Sequence, residues 1–143
     1  MQMKAKLAWQ PQGTVYGALL NLRREFELWA PQMHEAPYEA PPAAPVLYVK
    51  TANTFAPDGA AVPVPGPVRV GATLGLIAGA AGEPTHAVLL DDLCLPHESY
   101  FRPPIRYRNR DGFLVCAPRS TPLAQLALDT LQIAVHINGA LVQ

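Results

Sequence analysis

Apolar positions along the chain come in short runs separated by proline and glycine, the pattern of small strands with few helices. "TVYGALL" (14–20) predicts a buried strand. Asn21 is then placed to cap a short helix, "LRREFELWA", in which Leu22, Phe26 and Trp29 recur at helical spacing until Pro31 stops it. "MHEAPYEAPPAAP" (33–45) has too much proline for either regular element and predicts an extended surface loop delivering the chain to a strand at "VLYVK" (46–50). "AAVPVPGPVRVGATLGLIAG" (60–79) predicts an edge strand leading into a buried one, and the apolar "HAVLLDDLCL" follows. "FLVCAP" and "TLQIAVHI" predict two late strands, and Asn138-Gly139 is a two-residue hairpin signal of the primed-turn kind. Only "ALVQ" follows that turn, so the returning strand is expected to be a stub, as in a truncated domain or one lacking a companion.

The length of 143 residues suits one domain, and 50% hydrophobic with 15% charged residues excludes a disordered chain. No apolar run reaches the roughly 20 residues of a membrane-spanning helix, and the first residues lack a signal-peptide core. A cytoplasmic protein without a membrane partner is therefore expected. Cys94 and Cys116 predict free, buried thiols. A formal net charge of zero supplies no overall field for nucleic acid, and none is expected as a partner. What stands out locally is "LPHESYFRPPIRYRNRDGF" (95–113), where four of the eight arginines, Arg102, Arg106, Arg108 and Arg110, fall within nine positions.

The chain contains no phosphate-binding glycine loop, no His-Glu-x-x-His, no Cys-x-x-Cys and no nucleophile elbow. Cys94 and His97 have a spacing that zinc could use, with His86, Cys116 or His136 as conceivable further ligands, and ordinary core or surface roles as the alternative. Asp91 and Asp92 are adjacent, so on a strand they point to opposite faces and one alone can serve an inward site. The arginines read either as a surface loop paired in part with Glu98 and Asp111, or as a carboxylate-binding rim. In both readings Pro103 and Pro104 hold the backbone extended, and Arg110 and Asp111 fix a turn at Gly112.

The ordered blocks "GTVYGALLNLRREFELW", "PYEAPPAAPVLYVKTANTF", "VGATLGLIAG", "DDLCLPHESYFRPPIRYRNRDGF" and "VHINGALVQ" resemble the fumarylacetoacetate hydrolase family. The resemblance runs from Gly13 to the end, leaving 1–12 as an N-terminal extension before a family domain at 13–143. It implies a mixed, mainly β (α+β) fold, a curled β-sheet roll incomplete at its C-terminus. It also implies chemistry through an enolate, which active members stabilise with a divalent metal, usually magnesium. Those members hold the metal with a Glu-x-Glu pair on one strand and a later Asp. Here the pair's positions fall on Gly71 and Thr73, leaving Asp92 as the lone candidate ligand. The family's proton-handling His and Glu match Glu25 and Leu28, and its later lysine matches Arg108, so Glu25 and Arg108 are the candidate catalytic residues. Lys50, Arg102, Arg106 and Arg110 are the candidates to bind substrate carboxylates. A stretch of about three helical turns between Gly79 and Asp91 looks deleted against the family.

The loss of the glutamate pair is similar to the N-terminal half of two-part decarboxylase/isomerases of aromatic catabolism, in which the other half carries the metal. The resemblance thus implies a half that is non-catalytic by itself, binds no metal tightly, and has a catalytic homologous half or its own copies as partner. The corresponding substrate is a small 2-oxo or 2-hydroxy diacid. The alternatives are a self-sufficient isomerase or decarboxylase, an anion- or nucleic-acid-binding module, and a decayed remnant.

Overall fold

In the computed structural model, which describes residues 11–100 and 105–142, the chain opens with an antiparallel ribbon. Strand β1 (Val15–Leu19) pairs with β2 (Val46–Lys50), Gly17 lying opposite Tyr48. Alternation divides the ribbon. Val15, Gly17 and Leu19 face inward with Val46, Tyr48 and Lys50, while Tyr16 and Leu47 stand 64% and 57% exposed on the other side. The predicted strand is therefore buried on one face only. Gly17 has a packing reason, because a methyl group there would collide with the Tyr48 ring.

Helix α1 (Arg23–Trp29) follows, and its N-cap is Leu22, with no side chain bonding the first turn. Asn21 is thus not the cap. Nor does Pro31 stop the helix abruptly: it lies in the first turn of a 3₁₀ segment, Ala30–Gln32, where a missing N–H costs nothing. The following loop is not extended. The Tyr38 and Glu39 N–H groups both donate to the Glu35 carbonyl, at 2.8 and 3.0 Å, which folds 33–39 back on itself. The apolar side chains within the proline-rich stretch explain the turn. Met33 is fully buried with Leu19, Leu20 and Tyr100, and Tyr38 stacks on Tyr100 with ring centroids 4.3 Å apart. Trp29 meets Tyr100 edge-on at 5.0 Å, closing this first core.

The second core belongs to a four-stranded sheet of order β3-β6-β5-β4, built from β3 (Phe55–Pro57), β4 (Ala72–Ala78), β5 (Pro84–Asp92) and β6 (Leu114–Pro122). β3 runs parallel to β6 and the other pairs are antiparallel. Val88, Leu90, Leu114 and Cys116 form its buried centre, and Val15 of the ribbon packs against them. Both thiols are free and buried, as expected. The segment 60–79 departs from its prediction. Its proline-valine part makes no strand but bridges Arg69 to Cys94, just past the end of β5, and the apolar run is itself the sheet's edge, β4, rather than a buried strand.

A short helix α2 (Ile105–Arg108) carries two of the clustered arginines, and the Pro103-Pro104 expectation lies outside the described residues. Of "TLQIAVHI" only β7 (His136–Ile137) is a strand: Leu128–Thr130 is a 3₁₀ turn, and of the residues between, Val135 extends the hairpin by accepting from the Val142 N–H at 2.8 Å. β7 pairs with β8 (Ala140–Leu141) through Asn138 and Gly139 at φ 51° and 81°, the two left-handed residues that a type I′ turn requires. The architecture is mainly β with few helices, an α+β arrangement. Among the described residues no helix is long and apolar enough to cross a membrane.

Candidate functional site

The chain's chemistry-bearing residues converge where the ribbon, the end of β5 and α2 meet. Asp92 is the last residue of β5 and faces inward. Tyr48 and Lys50, two apart on β2, share the inward face, so both reach the same carboxylate. The Lys50 ammonium donates to Asp92 Oδ1 at 2.8 Å, and the Tyr48 hydroxyl donates to Oδ2. Arg108 of α2 also donates to Oδ2, through Nη1 at 3.1 Å, while its guanidinium lies over the Tyr48 ring, 4.4 Å from the centroid. One carboxylate therefore meets two cations and a phenol, with side chains 6% exposed for Asp92, 2% for Lys50 and 13% for Arg108.

Lys50 is placed to tie as well as to charge. Its remaining N–H groups donate to the Arg108 and Phe113 carbonyls at 2.6 and 2.9 Å, which gives all three ammonium donors a partner. Burial lowers the Lys50 pKa, and the Asp92 charge opposes that. Burial likewise raises the Tyr48 pKa, with the Asp92 charge and hydrogen bond adding to it, so the phenol stays protonated and donating. Asn109 extends the seam: its amide donates to the Val49 carbonyl at 3.0 Å and accepts from the Thr51 N–H at 3.0 Å, filling the free edge of β2 as a strand would. Asn53 donates to Asp111 at 2.7 Å, and the Gly112 N–H donates to the Asn53 carbonyl at 3.2 Å. Gly112 sits at φ 78°, so the expected turn at the end of the arginine cluster is present.

The arginines divide. Arg108 pairs with Asp92, not with Glu98 or Asp111. Arg106 stacks on Tyr107 and bonds its hydroxyl at 2.6 Å. Arg106 and Arg110 line an open cavity of about 520 Å³ with Asn109, Asp111, Pro63, Val64 and Pro65. Arg102 lies outside the described residues. Glu25, half-buried on α1, is near enough for its charge to act on the Tyr48 hydroxyl, and Leu28 is 70% exposed. Lys50, expected at a substrate carboxylate, is instead engaged by Asp92 and two carbonyls.

Gly71 and Thr73 share the inward face with Asp92. The register sets Thr73 opposite Leu90, and the Asp92 N–H donates to the Gly71 carbonyl at 2.9 Å, so position 71 lies directly opposite position 92. A methyl group on Gly71 would stand 2.8 Å from the Asp92 carbonyl oxygen, so the strands approach too closely there for a side chain. Among the described residues no three His, Cys, Asp or Glu side chains converge as a metal cage. Cys94 and His97 turn to local partners: the thiol donates to the Leu95 carbonyl at 3.2 Å, and His97 stacks on Tyr107 with Nδ1 2.8 Å from the Ser99 carbonyl.

Sequence reasoning found Asp92, Lys50 and Arg108 but missed Tyr48 and Asn109. Tyr48 was accessible from its i, i+2 spacing to Lys50. Asn109 was not, since an amide that completes a strand edge across sixty positions leaves no local signal.

The chain is similar to the 4-hydroxyphenylacetate degradation bifunctional isomerase/decarboxylase of Escherichia coli, with 34% identity over 140 residues and 90% of this chain. The homoprotocatechuate catabolism bifunctional isomerase/decarboxylase of Escherichia coli is 33% identical, and a Salmonella dublin 4-hydroxyphenylacetate degradation bifunctional isomerase/decarboxylase 32%, each over 90% of this chain. The chain spans about a third of the length of these relatives, 32% of each. No family model matches it.

Proposed function

We propose that this chain is a non-catalytic half of a decarboxylase/isomerase of the fumarylacetoacetate hydrolase type, a scaffold that packs against a catalytic homologue. In this reading the β1–β2 ribbon and the four-stranded sheet are part of that family's curled roll. The observation that carries it is the inward face shared by Gly71, Thr73 and Asp92. The positions where an active member places two metal-binding glutamates hold none here, and position 71 has no room for a side chain.

The residues around Asp92 do not fit a magnesium ion. Both carboxylate oxygens are engaged by Tyr48, Lys50 and Arg108, and two cations already adjoin the carboxylate. Magnesium seeks near-octahedral oxygen ligands, and a further dication would meet repulsion rather than a cage. What these side chains do is join the ribbon, the sheet and α2. Among the described residues, Arg106 and Arg110 at the open cavity are the groups left to meet the carboxylates of a small diacid.

The test is a calorimetric titration of the purified chain with magnesium and with manganese, beside an assay of decarboxylation and isomerisation of 2-oxo and 2-hydroxy diacids. The expected result is no metal-dependent heat and no turnover by the chain alone, with turnover confined to mixtures containing a catalytic homologous half. Saturable metal binding with turnover by the chain alone overturns the reading.

A further inference from the structure

We propose that β4 is a docking edge for a second copy of this chain, the two β4 strands pairing antiparallel about a twofold axis at Gly75. The inference stands on strand geometry and is independent of the function proposed above. β4 pairs with β5 on one side and, among the described residues, with no strand on the other. Arg69 and Cys94 exchange both backbone bonds, and the Asp92 N–H reaches the Gly71 carbonyl. Odd-numbered residues therefore face β5, and the backbone groups of Ala72, Leu74 and Leu76 point out along the free edge. A long edge of this kind is normally blunted by lysine, proline or a covering segment. The molecule does this elsewhere: β3 is three residues long and ends on Pro57, and Asn109 fills the edge of β2. β4, with sequence ATLGLIA, has neither charge nor proline.

The edge complements itself. Centring the axis on Gly75 pairs Leu74 with Leu76 of the copy and Leu76 with its Leu74, each pair exchanging both backbone bonds. Two four-stranded sheets become one continuous sheet. Leu74, Leu76 and Leu89 share one face, since Leu74 lies opposite Leu89, and Leu76 and Leu89 are 57% and 52% exposed. Across the axis they form an unbroken apolar strip. Charge agrees with the antiparallel sense. Arg69 lies beyond one end of β4 and Glu83 in the turn beyond the other, so each copy's basic end comes beside the other's acidic end. Three leucines and a strand edge per copy put the contact at the small end of specific interfaces, which predicts a weak dimer that dilution dissociates.

Sedimentation velocity from low micromolar to millimolar concentration tests this, comparing the wild type with Leu76→Lys and with Leu141→Lys, a control at an exposed leucine far along the chain. The expected result is a concentration-dependent dimer, weakened about tenfold or more by Leu76→Lys, which sets like charges against each other across the axis, and unchanged by Leu141→Lys. Hydrogen exchange on the wild type supplies a readout free of substitution: the Leu74 and Leu76 amides gain protection as concentration rises. A strict monomer over the whole range overturns the proposal, as does a dimer indifferent to Leu76→Lys. So does a monomer whose Leu74 and Leu76 amides are protected at every dilution, which assigns the edge to another segment of the same chain.

Discussion

Asp91 and Asp92 are neighbours at the end of β5, and the two faces of the sheet treat their carboxylates in opposite ways. On the inward face Asp92 has both oxygens hydrogen-bonded and two cations beside it. On the outward face Asp91, half-buried, has one oxygen closed off from solvent without a hydrogen-bond partner. Burial is the largest influence on Asp91 and raises its pKa. The difference teaches that burial alone says little about a carboxylate's role. The inward group is a fastener on which three segments depend, whereas the outward one is half-buried with a hydrogen bond from the Gly71 backbone that does not offset its desolvation.

The strongest way to break the comparison is to remove both carboxylates separately. Asp92→Ala leaves Lys50 and Arg108 buried beside each other without an anion and frees the Tyr48 hydroxyl. Removing one partner of a buried pair typically costs about 3–5 kcal/mol. A marginally stable fold would lose a large part of its folding free energy at once. Urea unfolding followed by tryptophan fluorescence is expected to show the midpoint collapsing for Asp92→Ala and barely moving for Asp91→Ala. Equal losses for the two would show that the inward network is not the fastener described.

The second prediction concerns how closely the inward face is closed. At Gly71 an added methyl group meets the Asp92 carbonyl, a backbone atom that cannot rotate away. Gly71→Ala therefore forces β4 and the end of β5 apart, and overpacking of this kind costs about 1–3 kcal/mol. Unfolding midpoints check the size, and faster exchange of the Asp92 amide, which bonds the Gly71 carbonyl, checks the place. A neutral Gly71→Ala would show that the strands have slack there.

How legible these two faces were in the sequence follows from the range of each signal. Strand periodicity is local, so β1, β2, β5 and β6 and the primed turn at Asn138-Gly139 could be read directly, as could the opposite orientation of Asp91 and Asp92. The pairing of Lys50 with Asp92 spans 42 positions, and nothing in either neighbourhood announces it. The proline-rich 33–45 segment misled because proline restricts φ but leaves open whether an intervening Met33 or Tyr38 will turn the chain back toward a core. The 130–137 run misled for another reason: apolar content signals a strand only where a neighbour is available to pair, and among the described residues the late ones pair only within the short β7–β8 hairpin. Composition could show four arginines close together. It could not show that Arg108 turns inward while Arg106 stays on Tyr107.

The smallest and sharpest test sets pH against the outward face. Asp91 has its pKa raised in the folded chain by burial, so the native state holds this proton more tightly than the unfolded chain does. Its contribution to stability is fully present below the unfolded value near 4 and is lost as pH rises through the folded value, because in that window the native state binds more protons than the unfolded one. Asp91→Asn keeps the shape and removes the charge. The variant is therefore expected to gain stability relative to the wild type as pH rises from about 4 toward neutrality, and to differ least at the acid end. Asp91 is partly exposed, so solvent screening keeps the gain modest. Urea midpoints for both proteins across that pH range give the difference directly. A difference that stays constant with pH, or that favours the wild type increasingly toward neutrality, would mean that the hydrogen bond from the Gly71 backbone to the Asp91 carboxylate outweighs its burial and that the two faces are more alike than their geometry indicates.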